Sequence, residues 1–187
     1  DFQMFEKDLP GKGTKDFATS ADDIGNLPLE VCETINGSWG FNLKDRKHKS
    51  EKELIQYLIK AAGYGSNLLL NVGPMPNGKI QEEHIESLKK IGKWVKQNGQ
   101  TIYNTKRGPI SPSDEIASTQ NGNIVYIHLL DNNKSEYYIE GFKSKFKNIS
   151  YLNSNKKVSY KKTKTGLHLI LDKKEINSID TILIMEL

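Results

Sequence analysis

The chain has 187 residues, of which 36% are hydrophobic and 27% charged, and its formal net charge is +4. This composition is typical of a globular protein with enough apolar residues for a core, and it argues against a wholly disordered or collagen-like chain. The longest uninterrupted apolar run, residues 68–70, is far shorter than the ~20 residues of a membrane-spanning helix, and the first residues show no signal-peptide pattern.

The positive charge does not indicate a nucleic-acid partner. Only two of the 27 basic residues, Arg46 and Arg107, are arginines, the residue type whose planar guanidinium suits base and phosphate recognition. The single cysteine, Cys32, lies in a predicted strand without a histidine partner, so we interpret it as a core residue. The four histidines are dispersed along the chain, and their spacing argues against a metal site.

The first half of the chain predicts two consecutive strand-helix units. The first 28 residues, rich in Gly, Asp and Lys, predict a loop, and the alternating residues 30–35 predict a strand. Ser50 and Glu53 form a capping box ahead of apolar residues at helical spacing, which predicts a helix ending near Gly63 or Gly65. Residues 67–72 are a short apolar run, typical of a strand covered on both faces in a parallel sheet. A second amphipathic helix is predicted over residues 81–97, with an inner face formed by Ile85, Leu88, Ile91 and Val95.

The second half is predicted to be all-β. Six short runs of β-branched, aliphatic and aromatic residues are separated by turn residues, a pattern that predicts a small antiparallel sandwich. Gly108 and Pro109 interrupt the helical pattern, so we place the domain boundary between residues 107 and 108. The predicted strands are residues 123–130, 136–139, 148–152, 157–160, 167–171 and 181–185.

The candidate chemistry lies in the loops that follow the predicted parallel strands. Trp39, between the glycines Gly37 and Gly40, is either a platform for the apolar face of a sugar or, with Phe41, packing at the top of the core. Hydrolysis of a glycosidic bond uses a pair of carboxyl groups, and Glu6, Glu30 and Glu33 lie in or before the strand region. Spacing alone does not choose among these three carboxylates.

Several motifs occurring together resemble the α-L-fucosidases of glycoside hydrolase family 29. They are LEVCETINGSWGFN at residues 29–42, SNLLLNVGP at 66–74, Gly78, IGKW at 91–94 and NGQTIY at 98–103. The resemblance implies the last two βα units of a (β/α) barrel-like catalytic domain over residues 1–107, followed by a β-sandwich accessory domain over residues 108–187. It also implies retaining hydrolysis of terminal α-L-fucose from a fucosylated oligosaccharide or glycoconjugate, without a metal or a cofactor and without a nucleic-acid or membrane partner. A secreted or periplasmic location is what the resemblance favours.

The same resemblance implies roles for two residues. The segment DFQMFE at residues 1–6 is similar to the family segment that supplies the proton donor, which places the general acid/base on Glu6. Trp39 matches the aromatic position that packs against the fucose ring and its C6 methyl. No residue here matches the family's Asp nucleophile, so we expect that residue upstream of Asp1 and expect this chain to be inactive by itself.

A second hypothesis is a non-catalytic carbohydrate-binding module formed by the sandwich. Aromatic residues exposed on one face of the sandwich would favour it. Burial of Tyr126, Tyr137 and Tyr151 in the core would disfavour it.

Overall fold

The structure is a computed structural model that describes residues 1–10 and 27–187, and it consists of two compact units. The first unit is Asp1–Gly99 and the second is Gln100–Leu187. The sequence pattern placed the division after Arg107, whereas the strand Lys106–Arg107 pairs with residues of the second unit and joins that unit instead. Within the described residues, no helix is long and apolar enough to span a bilayer.

The first unit is a three-stranded parallel sheet with two helices. Its strands lie side by side in chain order. The first helix follows the second strand, and the second helix follows the third strand. A small core that includes Phe5, Val31 and Ala61 lies between the sheet and the first helix. The elements are β1 (Gln3–Glu6), β2 (Leu29–Thr34), α1 (Glu51–Gly63), β3 (Ser66–Asn71) and α2 (Glu82–Asn98).

Helix α1 begins with the capping box that the sequence predicts. The Ser50 hydroxyl accepts a hydrogen bond from the Glu53 amide at 3.2 Å, and the Glu53 carboxylate accepts one from the Ser50 amide at 2.7 Å. These bonds satisfy donors that the first helical turn leaves without intrahelical partners, so the helix begins where the sequence predicts. The helix buries Leu54, Ile55 and Ile59.

Strand β1 corrects the prediction of a loop over the first 28 residues. Gln3 pairs with Leu29 and Glu6 with Cys32 in parallel register, and Phe5 is 1% exposed. A strand of four residues is too short for an alternating pattern to stand out, and its pairing with a partner more than 20 residues away determines its conformation. The remainder of the predicted loop, residues 11–26, lies outside the described residues.

Helix α2 and strand β3 bury fewer apolar side chains than their patterns predict. In α2 the buried residues are His84, Trp94 and Asn98, while the predicted inner-face residue Leu88 is 37% exposed. Leu69 in β3 is 46% exposed, so β3 is not covered on both faces within the described part of the chain. Some apolar side chains of α2 and β3 are therefore exposed to solvent.

The second unit is an antiparallel β-structure of two sheets, as the sequence predicts. The sheets have five strands in the order β4-β5-β6-β11-β8 and three strands in the order β7-β10-β9, and their inner faces form one apolar core. Five of the six predicted strands are present within one or two residues, and the strand predicted over residues 157–160 is shifted to residues 159–162. Strands β4 and β5 are additional, because their residues are too polar to form an apolar pattern. The strands are β4 (Lys106–Arg107), β5 (Ile116–Asn121), β6 (Ile124–Leu129), β7 (Glu136–Glu140), β8 (Asn148–Tyr151), β9 (Ser159–Lys162), β10 (Gly166–Ile170) and β11 (Thr181–Glu186).

Candidate active site

The carboxyl ends of the three parallel strands meet at one edge of the first unit. Glu6 is the last residue of β1, and the segment Gly37–Gly40, called here the Trp39 loop, follows β2. The chain leaving β3 passes close to the same loop. A Cβ added to Gly73 would lie only 2.5 Å from the Gly40 carbonyl carbon. Loops at the carboxyl ends of parallel strands are where α/β folds place their functional groups.

Glu6 and Trp39 are in direct contact at this edge. The indole Nε1–H of Trp39 donates a hydrogen bond to Oε1 of Glu6 at 2.9 Å, although the two residues are 33 positions apart. Trp39 is 37% exposed and the Glu6 side chain is also exposed, whereas Phe41 is half-buried. The structure thus brings together the two residues that the sequence singled out, and it leaves both accessible from solvent.

Lys7 lies against the Trp39 loop from the β1 side. Its Nζ donates a hydrogen bond to the Gly37 carbonyl at 2.7 Å and lies 5.2 Å from the centroid of the Trp39 ring. An ammonium at this distance from the ring is attracted by the π-electrons of the indole. The backbone of Lys7 has φ +58°, a left-handed conformation that costs energy for a residue with a side chain. The chain bends at this residue, directly after the end of β1.

Two further residues, which the sequence analysis missed, hold the Trp39 loop. Asp45 Oδ2 accepts hydrogen bonds from the Gly37 amide and the Ser38 hydroxyl, both at 2.8 Å. The Ser38 hydroxyl, followed by neighbouring backbone amides, holds the pKa of Asp45 below its usual value. Asn71 Nδ2, at the end of β3, donates to the Trp39 carbonyl at 2.8 Å. The motif SNLLLNVGP contains Asn71, but nothing in its spacing indicates which atom it would bind.

Glu33 has a structural environment that differs from that of Glu6. It is 5% exposed, its Oε1 accepts the Thr34 amide at 2.7 Å, and Lys49 Nζ lies 3.2 Å from the same oxygen. Its charge is thus neutralised locally by a lysine that also binds the Thr34 carbonyl. Glu30 is half-buried in β2, so Glu6 is the exposed carboxylate of the three.

Among the described residues, Cys32 and the histidines do not form a reactive or metal-binding site. Burial, followed by the charge of Glu6, raises the pKa of the Cys32 thiol, which is the opposite of the shift that activates a nucleophilic cysteine. The Cys32 thiol donates to the Phe5 carbonyl at 3.5 Å. Within residues 1–10 and 27–187, no group of three or more His, Cys, Asp or Glu side chains is arranged to hold a metal ion.

Comparison with known proteins identifies the family. Residues 1–100, more than half of the chain, match the family profile described as Alpha-L-fucosidase. The chain belongs to the α-L-fucosidase family. The tissue α-L-fucosidase of Bos taurus is 34% identical over 105 residues, which are 54% of this chain and 22% of the bovine protein. The plasma α-L-fucosidase of Homo sapiens is 37% identical over 79 residues, which are 41% of this chain and 17% of the human protein.

Solved fucosidase structures extend the similarity to the whole chain. The α-L-fucosidase isoenzyme 1 of Paenibacillus thiaminolyticus superposes with a TM-score of 0.81 at 26% identity, covering 100% of this chain and 45% of that one. The Thermotoga maritima α-fucosidase, solved in complex with fucose, superposes with a TM-score of 0.77 at 25% identity, covering 86% of this chain and 40% of its own. This fucosidase-family chain therefore spans about a fifth of the curated relatives and less than half of the solved structures that it matches.

Proposed function

We propose that the protein containing this chain is an α-L-fucosidase that releases terminal fucose from fucosylated glycans, with Glu6 as its general acid/base. The observation that carries this proposal is the 2.9 Å contact between Glu6 and Trp39, two exposed residues at the carboxyl ends of adjacent parallel strands. Family membership supports a fucose-releasing activity, and the related Thermotoga maritima enzyme has been solved with fucose bound. We further propose that strands β1, β2 and β3 belong to a (β/α) barrel in the intact protein.

We propose that the two oxygens of Glu6 have different tasks. Oε1 accepts from Trp39, which leaves Oε2 to face the glycosidic oxygen and to donate a proton to it. A retaining mechanism needs a second carboxyl group ~5–5.5 Å from the first, acting as nucleophile. We propose that this nucleophile is an Asp contributed by residues outside this chain.

Trp39 supplies the apolar half of the proposed site. Because Lys7 lies over one face of the indole, a ligand stacking on the ring would take the opposite face. A 6-deoxy sugar presents a methyl group where other hexoses carry a hydroxyl, and burying an unpaired hydroxyl against an aromatic ring costs free energy. We propose that this contact selects fucose.

The proposal is tested by replacing Glu6 with Gln in the intact enzyme. General acid/base catalysis contributes ~10²–10⁴-fold, so we expect Glu6→Gln to lower turnover of a fucosylated glycan by at least about 100-fold. The matched control is Glu30→Gln, the same change on the adjacent strand, which should leave the rate unchanged. Native rates for Glu6→Gln on both a glycan and an aryl fucoside would show that Glu6 is not the acid/base.

A second candidate function, glycan binding by the second unit, is favoured by one observation. Tyr138 is 51% exposed and borders a groove of about 340 Å³ that also includes Phe142, Ser111, Ser113 and Glu140. An aromatic ring beside hydroxyl and carboxylate groups suits a neutral sugar. Against it, Tyr126, Tyr137 and Tyr151 are buried, and burial raises the pKa of Tyr137 to about 12.

Calorimetric titration of the chain with fucosylated oligosaccharides tests this second candidate. If the groove binds glycans, Tyr138→Ala should abolish the binding. Tyr160→Ala is the control, because Tyr160 is also exposed but packs on Phe146 with ring centroids 5.1 Å apart and does not line the groove. No measurable heat for the native chain, or equal binding by both variants, excludes the groove.

A further inference from the structure

We propose that Asn71 is a positioning residue that fixes Trp39 relative to Glu6, an inference that rests on the function proposed above. Trp39 is held at two points: its indole N–H binds Glu6 and its carbonyl accepts from Asn71 Nδ2 at 2.8 Å. The first contact would orient the ring, and the second would fix the backbone from which the ring projects. Together they determine how Trp39 faces a bound sugar.

The Trp39 loop needs such an anchor because of its own composition. Gly37 and Gly40 at its two ends have wide conformational freedom, and the loop is exposed over most of its length. Asp45 and Lys7 bind the Gly37 end, through the amide and the carbonyl respectively. Asn71 is the side chain that binds the backbone of Trp39 itself.

Asn71 is well placed for this task because it belongs to the sheet. It is the last residue of β3 and pairs in register with Thr34, the last residue of β2. The loop is therefore tied to all three strands: to β1 through Glu6, to β2 by the chain itself and to β3 through Asn71. A group held by a strand fixes its partner more accurately than one held by a loop, and a shift of ~1 Å at a reacting centre costs about 100-fold in rate.

The substitution Asn71→Asp reverses the polarity of this contact with little change in shape. At neutral pH an aspartate presents a second acceptor to the Trp39 carbonyl, so the contact becomes repulsive. When protonated, the same carboxyl regains a hydrogen-bond donor. We expect the variant of the intact enzyme to lose 10- to 100-fold in kcat/KM at pH 7 and to recover towards the native value as the pH falls to 4.5, relative to the native profile. Asn71→Ser, which has no such titration, should show no recovery.

The control is Asn67→Asp, the same change in the same strand on an exposed side chain, which should leave kcat/KM and its pH profile unchanged. Accessibility of Trp39 gives a readout that does not depend on activity. In this chain Trp39 is 37% exposed and Trp94 is 7% exposed, so acrylamide quenching reports mainly on Trp39. We expect the acrylamide quenching constant of Asn71→Asp to differ from that of the native chain at pH 7. At acidic pH it should approach the native value.

Two outcomes separate this inference from the proposed function. Native quenching and native kcat/KM for Asn71→Asp would overturn the positioning role while leaving the fucosidase assignment intact. Altered quenching in a protein whose native form releases no fucose would support the anchoring of Trp39 and overturn only the proposed function.

Discussion

His84 is a buried titratable residue that the proposed reaction does not use. It is 1% exposed, neither of its ring nitrogens has a hydrogen-bond partner among the described residues, and its ring lies 5.2 Å from that of His48. Burial, followed by the neighbouring His48, lowers the pKa of His84 below its usual value of 6.5. The folded protein therefore binds a proton at this site less readily than the unfolded chain.

This shift predicts a pH-dependent stability. Below about pH 6.5 the unfolded state takes up the proton more readily, so the stability that His84 contributes is present above that pH and is lost as the pH falls through the lowered folded-state pKa. Melting temperatures measured from pH 8 to pH 5 should fall less steeply for His84→Leu than for the native chain. Equal slopes for His84→Leu and the native chain would contradict the account.

The individual site residues differ in how far the sequence reveals them. Trp39 and Glu6 could be proposed from family motifs, because each lies in a recognisable segment. Their contact, like the bond from Asn71 to Trp39, joins residues more than 30 positions apart and depends on strand register, which no local pattern encodes. The buried His128–Asp180 pair, with Nδ1 and Oδ2 2.7 Å apart, was inaccessible to sequence reasoning for the same reason.

At the scale of elements, the close approach of the segment after β3 to the Trp39 loop requires a glycine at position 73. A Cβ there would lie 2.5 Å from the Gly40 carbonyl carbon and 2.7 Å from the Phe41 nitrogen, and both are backbone atoms that cannot rotate away. We expect Gly73→Ala to displace the loop, to destabilise the protein by about 1–3 kcal/mol and to lower the fucosidase activity proposed for the intact protein.

Gly92 offers the matched control in helix α2. A Cβ at this position would meet nothing within 4 Å, so Gly92→Ala should stabilise the protein by about 1 kcal/mol through higher helix propensity. Urea denaturation midpoints and fucoside turnover distinguish the two variants. Native stability and activity for Gly73→Ala would mean that the loop is not held by this contact.

Local signals predicted some elements well and others poorly. The capping box of Ser50 and Glu53 located the start of α1, because the signal and the structure it forms lie within four residues. Strand β1 and strand β5 were missed, since each is defined by pairing with a partner strand more than by its own pattern. Leu88 shows the reverse case. It belongs to an apolar pattern at helical spacing, yet its side chain is exposed in the described part of the chain.

At the scale of the whole molecule, we propose that this chain supplies one of the two carboxyl groups that a retaining fucosidase requires. Its first unit carries Glu6 and the Trp39 loop, and its second unit is a separately packed β-structure. The curated relatives are several times longer than the segment that matches. The activity is therefore proposed for the intact protein.

The central claim, that Glu6 donates the proton to the departing oxygen, is tested most directly by varying the leaving group. The rate of fucoside cleavage is measured for native enzyme and Glu6→Gln over a series of aryl fucosides whose phenols span several units of pKa. Without a proton donor, poor leaving groups depart slowly, so the variant's rate should fall steeply with rising phenol pKa while the native rate changes little. Parallel dependences for the two enzymes would contradict the assignment of Glu6.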